Sequence, residues 1–326
     1  MPRTCATMAL HHALARASET YQTNRRQIEA FTTALRRAGA GHRAQVARIP
    51  VVVHVLHHAP AENIADAQVR SQIDGLNHDY RRLNTDLAKV PPPLGPLAAD
   101  ALIEFGLAAK DPRGHATSGI TRTRTPLPVF QPDGDVDLEG QILALDARIK
   151  TVAGGGAAAW PCDRYLNIWV CNMGCSPLGY AQFPGGPSET DGVVVDVTCF
   201  GTGGAAGRPF DMGRTATHEI GHWLNLLHAR GDDDPGGSGV DSVGDGNFMD
   251  LAEDAAMQMF TVGQVERMNA ALYGPRASVV ASDALTPSHR IPQVHLPELT
   301  AFLAGAPAPA REDEPVQPVF DGVRWI

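Results

Sequence analysis

Within residues 217–228, three histidines and a glutamate stand at intervals that suit a divalent cation: His218, Glu219, His222 and His228. On a helix, residues four apart share a face, so His218 and His222 can aim two imidazole nitrogens at one ion while Glu219 falls beside it without binding. Neutral imidazole suits zinc, and a catalytic zinc keeps three protein ligands with an open position for water. His228 is the candidate third ligand. A helix continued past His222 would carry His228 through about 600° and turn it away, so the chain must change direction between them. Asn225 supplies the stop, because asparagine tolerates the left-handed backbone that ends helices. With zinc in place, Glu219 is the candidate general base and acid, taking a proton from water and returning it to the leaving group. A lone His-x-x-x-His pair also arises by chance on solvated helices. The helix stop and the third histidine at these offsets separate the catalytic reading from that one.

Such a cluster needs a rigid frame, and the hydrophobic pattern supplies one. Residues 49–56 are β-branched and nearly all apolar, as a buried strand requires. Val69, Ile73, Leu76, Tyr80 and Leu83 recur at helical spacing, which predicts a helix over 66–83 opened by Asn63 or Asp66. Further strands are expected at 102–108, 165–171 and 193–197, and a helix at 262–272. This order argues for an α+β fold, a twisted mixed sheet with helices packed on one side. Before the first strand, residues 23–37 show helical spacing through Ile28, Phe31 and Leu35, so 1–48 reads as a separable helical preface. After 285 the chain becomes Pro-rich and then acidic, an extended tail over 286–326. No internal repeat is present.

Composition narrows the function classes. An apolar content of 43% and a charged content of 19% are those of a globular protein, and no apolar run approaches the length of a membrane span. A formal charge of −9 with scattered arginines gives no basic face for nucleic acid. The amino terminus lacks the apolar stretch of a secretory signal. Of five cysteines, Cys162, Cys171, Cys175 and Cys199 cluster and suit two disulfides, with reduced core thiols as the alternative, while Cys5 stands apart.

The 218–228 segment resembles the metzincin signature, with Asn225 where that family usually has glycine. Asn247, Phe248, Met249 and Asp250 resemble its Met-turn in the form found in the pappalysin family. Stretches at 49–55, 72–77, 119–125, 165–170, 179–185 and 260–268 are similar to the same family, in its cytophagalysin-like or ulilysin-like branch. The resemblance implies a zinc endopeptidase acting on proteins or peptides as a secreted monomer. Its catalytic domain would span 49–285, divided at 228/229 into a larger and a smaller subdomain, with Met249 as a hydrophobic floor under the ligands. It further implies that Gly179, Tyr180, Ala181 and Gln182 form the strand edge that takes substrate. Residues 3–8 resemble the family's prosegment, in which Cys5 would occupy the open zinc position until the chain is cut at Arg43 or Arg48. Asp250, Glu253 and Asp254 are candidates for an acidic pocket that prefers Arg or Lys just after the scissile bond; the alternative is an acidic cap on the next helix. The acidic, Gly-rich stretch 231–245 is a candidate calcium site. Departures exist: the segment between His228 and Met249 is short and lacks cysteines, and Leu251 stands where the family often has tyrosine. They leave a weakened zinc-binding module as the alternative to an active enzyme, against which Glu219 argues.

Overall fold

The computed structural model describes residues 3–131, 138–229 and 246–285. Its frame is a mixed sheet built on strand β1 (Ala47–His57), whose eleven residues are long enough to serve three neighbours. The first half of β1 pairs with β2 (Ile103–Leu107) and the second half with β3 (Ile120–Arg124); its other edge carries β4 (Leu166–Cys171), all parallel. Beyond β4 lies parallel β6 (Val193–Asp196), and the sheet ends in the short antiparallel strand β5 (Gly179–Ala181). Parallel strands must be covered on both faces, which is why β1 and β4 read as continuous apolar runs rather than alternating ones.

Helices cover both faces, not one. Val51, Val53 and Val55 pack with Val69, Ile73 and Leu76 of α3 (Asp66–Tyr80) and with Ile220 and Trp223 of α5 (Arg214–Trp223). On the opposite face Trp169, Cys171 and Val194 pack with Ile142, Leu145 and Ile149 of α4 (Leu138–Lys150) and with Leu10, Ala13 and Leu14 of α1 (Thr7–Ala17). Sequence reading assigned no helix to the α4 stretch. A smaller unit follows α5: β7 (Gly246–Asn247) pairs with β8 (Met257–Met259), then come α6 (Val262–Tyr273) and α7 (Ala277–Val280). Thr261 and Gln264 close a capping box at the start of α6.

The amino-terminal preface is α1 followed by α2 (Glu19–Arg37), whose first turn is capped where Tyr21 N donates to Ser18 Oγ. The cap expected for α3 is absent: Ala65 holds that position, and Asp66 instead accepts from Arg122 at 2.5 Å. The expected disulfides are not formed, all five cysteines being free thiols. Cys171 is buried in the α4-side core and Cys199 in the α5-side core, so the sheet lies between them. The candidate calcium stretch 231–245 and the tail 286–326 lie outside the described residues.

Candidate metal centre

Helix α5 stops where the sequence places its stop. Asn225 has φ +75°, and Leu226 N turns back to donate to Gly221 O at 2.9 Å, so the chain reverses and returns His228 toward the helix. His222 Nε2 then lies 3.1 Å from His218 Nε2 and 3.2 Å from His228 Nε2. Nδ1 of His218 donates to Phe248 O at 2.8 Å and Nδ1 of His222 to Leu226 O at 2.7 Å, which leaves each Nε2 as an unprotonated lone pair. Burial, and then the neighbouring imidazoles, hold His218 well below its ordinary pKa, so the ring is neutral. Lone pairs facing one another at this spacing repel unless a cation lies between them. Ligands about 2.05 Å from a tetrahedral zinc stand about 3.3 Å apart. The donor set therefore fits zinc.

Met249 is fully buried beneath α5, and a Cβ at Gly221 would come within 2.3 Å of its sulfur, so only glycine lets the helix settle on the Met-turn. The turn is held by Asn247, whose side chain accepts from Met249 N and exchanges two hydrogen bonds with Gln264. It is the turn's Phe248 carbonyl that orients His218, a role the sequence did not reveal because a backbone oxygen has no residue type. The start of α5 is tied by Arg214, which bridges Asp79 and Asp86. Its last turn is tied by Arg276, bidentate to Asp191 and bonded to Trp223 O.

Glu219 is fully buried beside the three rings. Its Oε2 accepts from Thr7 Oγ1 at 3.0 Å and from Cys5 Sγ at 3.4 Å, and its Oε1 has no hydrogen-bond partner among the described residues. Burial pushes its carboxyl up to about 7 against the lowering effect of those hydrogen bonds. Cys5 Sγ and the donor nitrogens of the three histidines all lie within 4.8 Å of one another. Burial, and then the nearby Glu219, raise this thiol well above its usual range; a bound zinc would reverse that balance, since a coordinating thiol is deprotonated.

Residues 4–7 lie along β5 in the parallel sense. Ala6 N donates to Gly179 O at 3.0 Å, Leu178 N to Thr4 O at 2.9 Å and Ala181 N to Thr7 Oγ1 at 2.8 Å. A Cβ at Gly179 would stand 2.9 Å from Glu219 Cγ, so glycine is needed where the edge passes the carboxylate. Tyr180 turns into the α4-side core, and the Gln182 side chain braces Pro187 and Thr190 rather than the edge. Of the three acidic candidates Asp254 is buried, Asp250 half-buried and Glu253 exposed. Fully buried Asp254 accepts from Arg3 at 2.5 Å and from Met212 N and Arg214 N. Arg3, which reaches Asp254, and Thr7, which reaches Glu219, were not singled out from sequence, although both lie in the stretch that resembles a prosegment.

No protein-family model matches the sequence. The chain is 32% identical over 179 residues to extracellular metalloprotease 1 of Coccidioides posadasii, a match covering 45% of this chain and 58% of that protein. The chain thus spans little more than half of that relative's length. Among solved structures, mature mirolysin of Tannerella forsythia in complex with a cleaved peptide is 41% identical, with a TM-score of 0.64, covering 74% of this chain and 97% of that one. A Tannerella forsythia promirolysin variant is 37% identical with a TM-score of 0.70, covering 85% and 96%.

Proposed function

The chain belongs to the pappalysin-type metzincin metalloproteases, the family of mirolysin, and from that premise we propose that it is an extracellular zinc endopeptidase held latent by its own amino-terminal segment. The observation that carries the reading is the convergence of three imidazole nitrogens, two of them on buried rings, on one point beside a buried carboxylate. A zinc ion held by His218, His222 and His228 would supply Lewis-acid polarisation of a water and of the scissile carbonyl. Glu219 takes the proton of the attacking water and returns it to the leaving amine. The free backbone groups of β5 align an extended peptide, and Asp254 receives a basic side chain just after the scissile bond.

In the uncut chain these places are taken. Arg3 occupies the Asp254 hollow, Cys5 stands where a fourth zinc ligand belongs, and Thr7 ties up Glu219 and Ala181 N. Arg48 is paired within β1 and bonded to Glu104, so the cut that severs the preface from the body falls upstream of it, in the stretch containing exposed Ala38, Gly39, Ala44 and Gln45. The test is casein hydrolysis before and after trimming, with chelator and Glu219→Ala as controls. The reading requires activity that appears on trimming and vanishes in both controls; trimmed, zinc-loaded protein without turnover would leave only the binding-module alternative.

A further inference from the structure

The latch over the metal uses residues 3–7, yet the preface continues for another thirty residues along a different part of the body. Helix α2 lies on α6, and its buried residues include the apolar Tyr21, Ile28, Phe31 and Leu35 beside Asn24, Arg25 and Thr32. Phe31 enters a hollow made by Ala270 and Gly274; a Cβ at Gly274 would meet its ring at 2.8 Å. One turn before, two charged side chains of α2 close on the very residue that stops helix α5. Arg25 Nη1 donates to Asn225 Oδ1 at 2.6 Å, and Glu29 Oε1 accepts from Asn225 Nδ2 at 3.2 Å and from Arg267 Nη2 at 2.6 Å. Arg267 in turn donates to Asn225 O at 2.5 Å. Arg25 also stacks on Phe183, 4.8 Å from the ring centre, and Asn24 bonds Gly185 O at 3.0 Å. Asn225 thus does two things that glycine could not do together: its backbone takes the left-handed turn, and its carboxamide reads a cation and an anion on α2.

This is an amphipathic helix in a groove, with an aromatic anchor and a charge clasp, and although Ala40 of the linker packs on Phe31 and Leu35, the clasp itself is made by α2 alone. Cutting the linker removes a tether but not the grip. Departure of α2 would also take from the Arg267 guanidinium its Glu29 carboxylate.

We infer that α2 is a docking element in its own right, whose clasp on Asn225 and Arg267 keeps the severed preface bound to the body, so that one cut in the linker does not free the metal site. Release then requires a second break, at the α1–α2 junction around Ser18 or within α2. The consequence for activity rests on the latency reading above; retention of the fragment does not.

The test uses the full chain with a site-specific protease sequence inserted between exposed Ala44 and Gln45. Retention is read in a zinc-loaded Glu219→Gln chain, which does not cut itself, by native size-exclusion and mass spectrometry after complete cleavage. The 1–44 fragment is expected to co-elute with the body, and the combined Arg25→Ala, Glu29→Ala and Phe31→Ala changes, all outside the mature body, to weaken retention by about thirtyfold or more. Asn225→Gly, which keeps the turn and deletes both carboxamide bonds, provides the body-side variant should the triple variant fold poorly. A fragment that elutes apart from the unaltered body, or a clasp whose removal leaves co-elution unchanged, overturns the inference. In the parent chain, casein hydrolysis is expected to stay at the uncut level after the single cut. Full activity with the fragment still bound would uphold the docking and overturn the latency reading instead.

Discussion

The metal framework and the segment that covers it are held by different kinds of bond. His218 and His222 are oriented by backbone carbonyls, Phe248 O and Leu226 O, and those carbonyls sit on a turn packed beneath α5 and braced by Gln264. The covering segment is held by the β5 edge, the Asp254 carboxylate and Glu219, with Cys5 beside the three imidazoles, which on the proposed function are the groups that would bind and cut a peptide. The first set has no competitor among the described residues, since the histidine rings are the only donors to those two carbonyls there. The second is exchangeable by design of its chemistry, since every bond it makes is one a substrate could make. Permanence and exchange are thus separated by whether a bond is closed inside the fold or offered at its edge.

The sharpest way to break this contrast is at Glu219, which holds the covering segment and stands beside the framework's three rings. Glu219→Ala is expected to lower kcat of the trimmed enzyme by about 10²–10⁴ while elemental analysis still finds one zinc per chain; loss of the zinc as well would place Glu219 in the framework. Next in size is acid sensitivity of the framework's support. Burial holds the His54 imidazole down to about 4 from the ordinary 6.5, its nitrogens facing Thr121 and Asn167. Below pH 6.5 the unfolded chain binds a proton that the folded body refuses. The stability from the neutral ring is therefore whole above pH 6.5 and lost as pH falls toward 4, up to about 3 kcal/mol. Denaturation curves of the parent and of His54→Gln across that window should converge as pH falls; parallel curves would remove the ring from the account.

At the junction of the two sets, Gly221→Ala must push Met249 aside and is expected to cost about 1–3 kcal/mol, read as a lowered Tm, together with a rise in the zinc dissociation constant. An unchanged Tm would mean that the Met-turn yields freely. For the exchangeable set, Asp254→Asn should cut the preference for Arg over Leu after the scissile bond by about ten- to a hundredfold in kcat/KM, with Leu substrates little changed. Equal loss on both substrates would make Asp254 a brace for the Met212 and Arg214 amides rather than a reader of charge. Smallest is Cys5→Ala in the uncut chain, expected to raise basal hydrolysis by about tenfold only, because Arg3 and Thr7 still hold the edge. Full activity from that single change would make the thiol the whole lock.

What the sequence determined by itself is the cluster that depends on local geometry. Ligand spacing on one helix, a left-handed residue to end it and a third histidine six residues on are relations along the chain, and helical periodicity found α3 and α6, and continuous apolar runs β1 and β4, for the same reason. Only the tertiary structure decided which face each helix covers, that Cys171 and Cys199 are separated by the sheet, and that Asp254 is buried against Arg3. It also decided that Arg3, Thr7 and Arg25 reach across the molecule to Asp254, Glu219 and Asn225. Those are contacts between residues distant in the chain, made by side chains and carbonyls whose partners are chosen by packing, and packing leaves no period in the sequence to read.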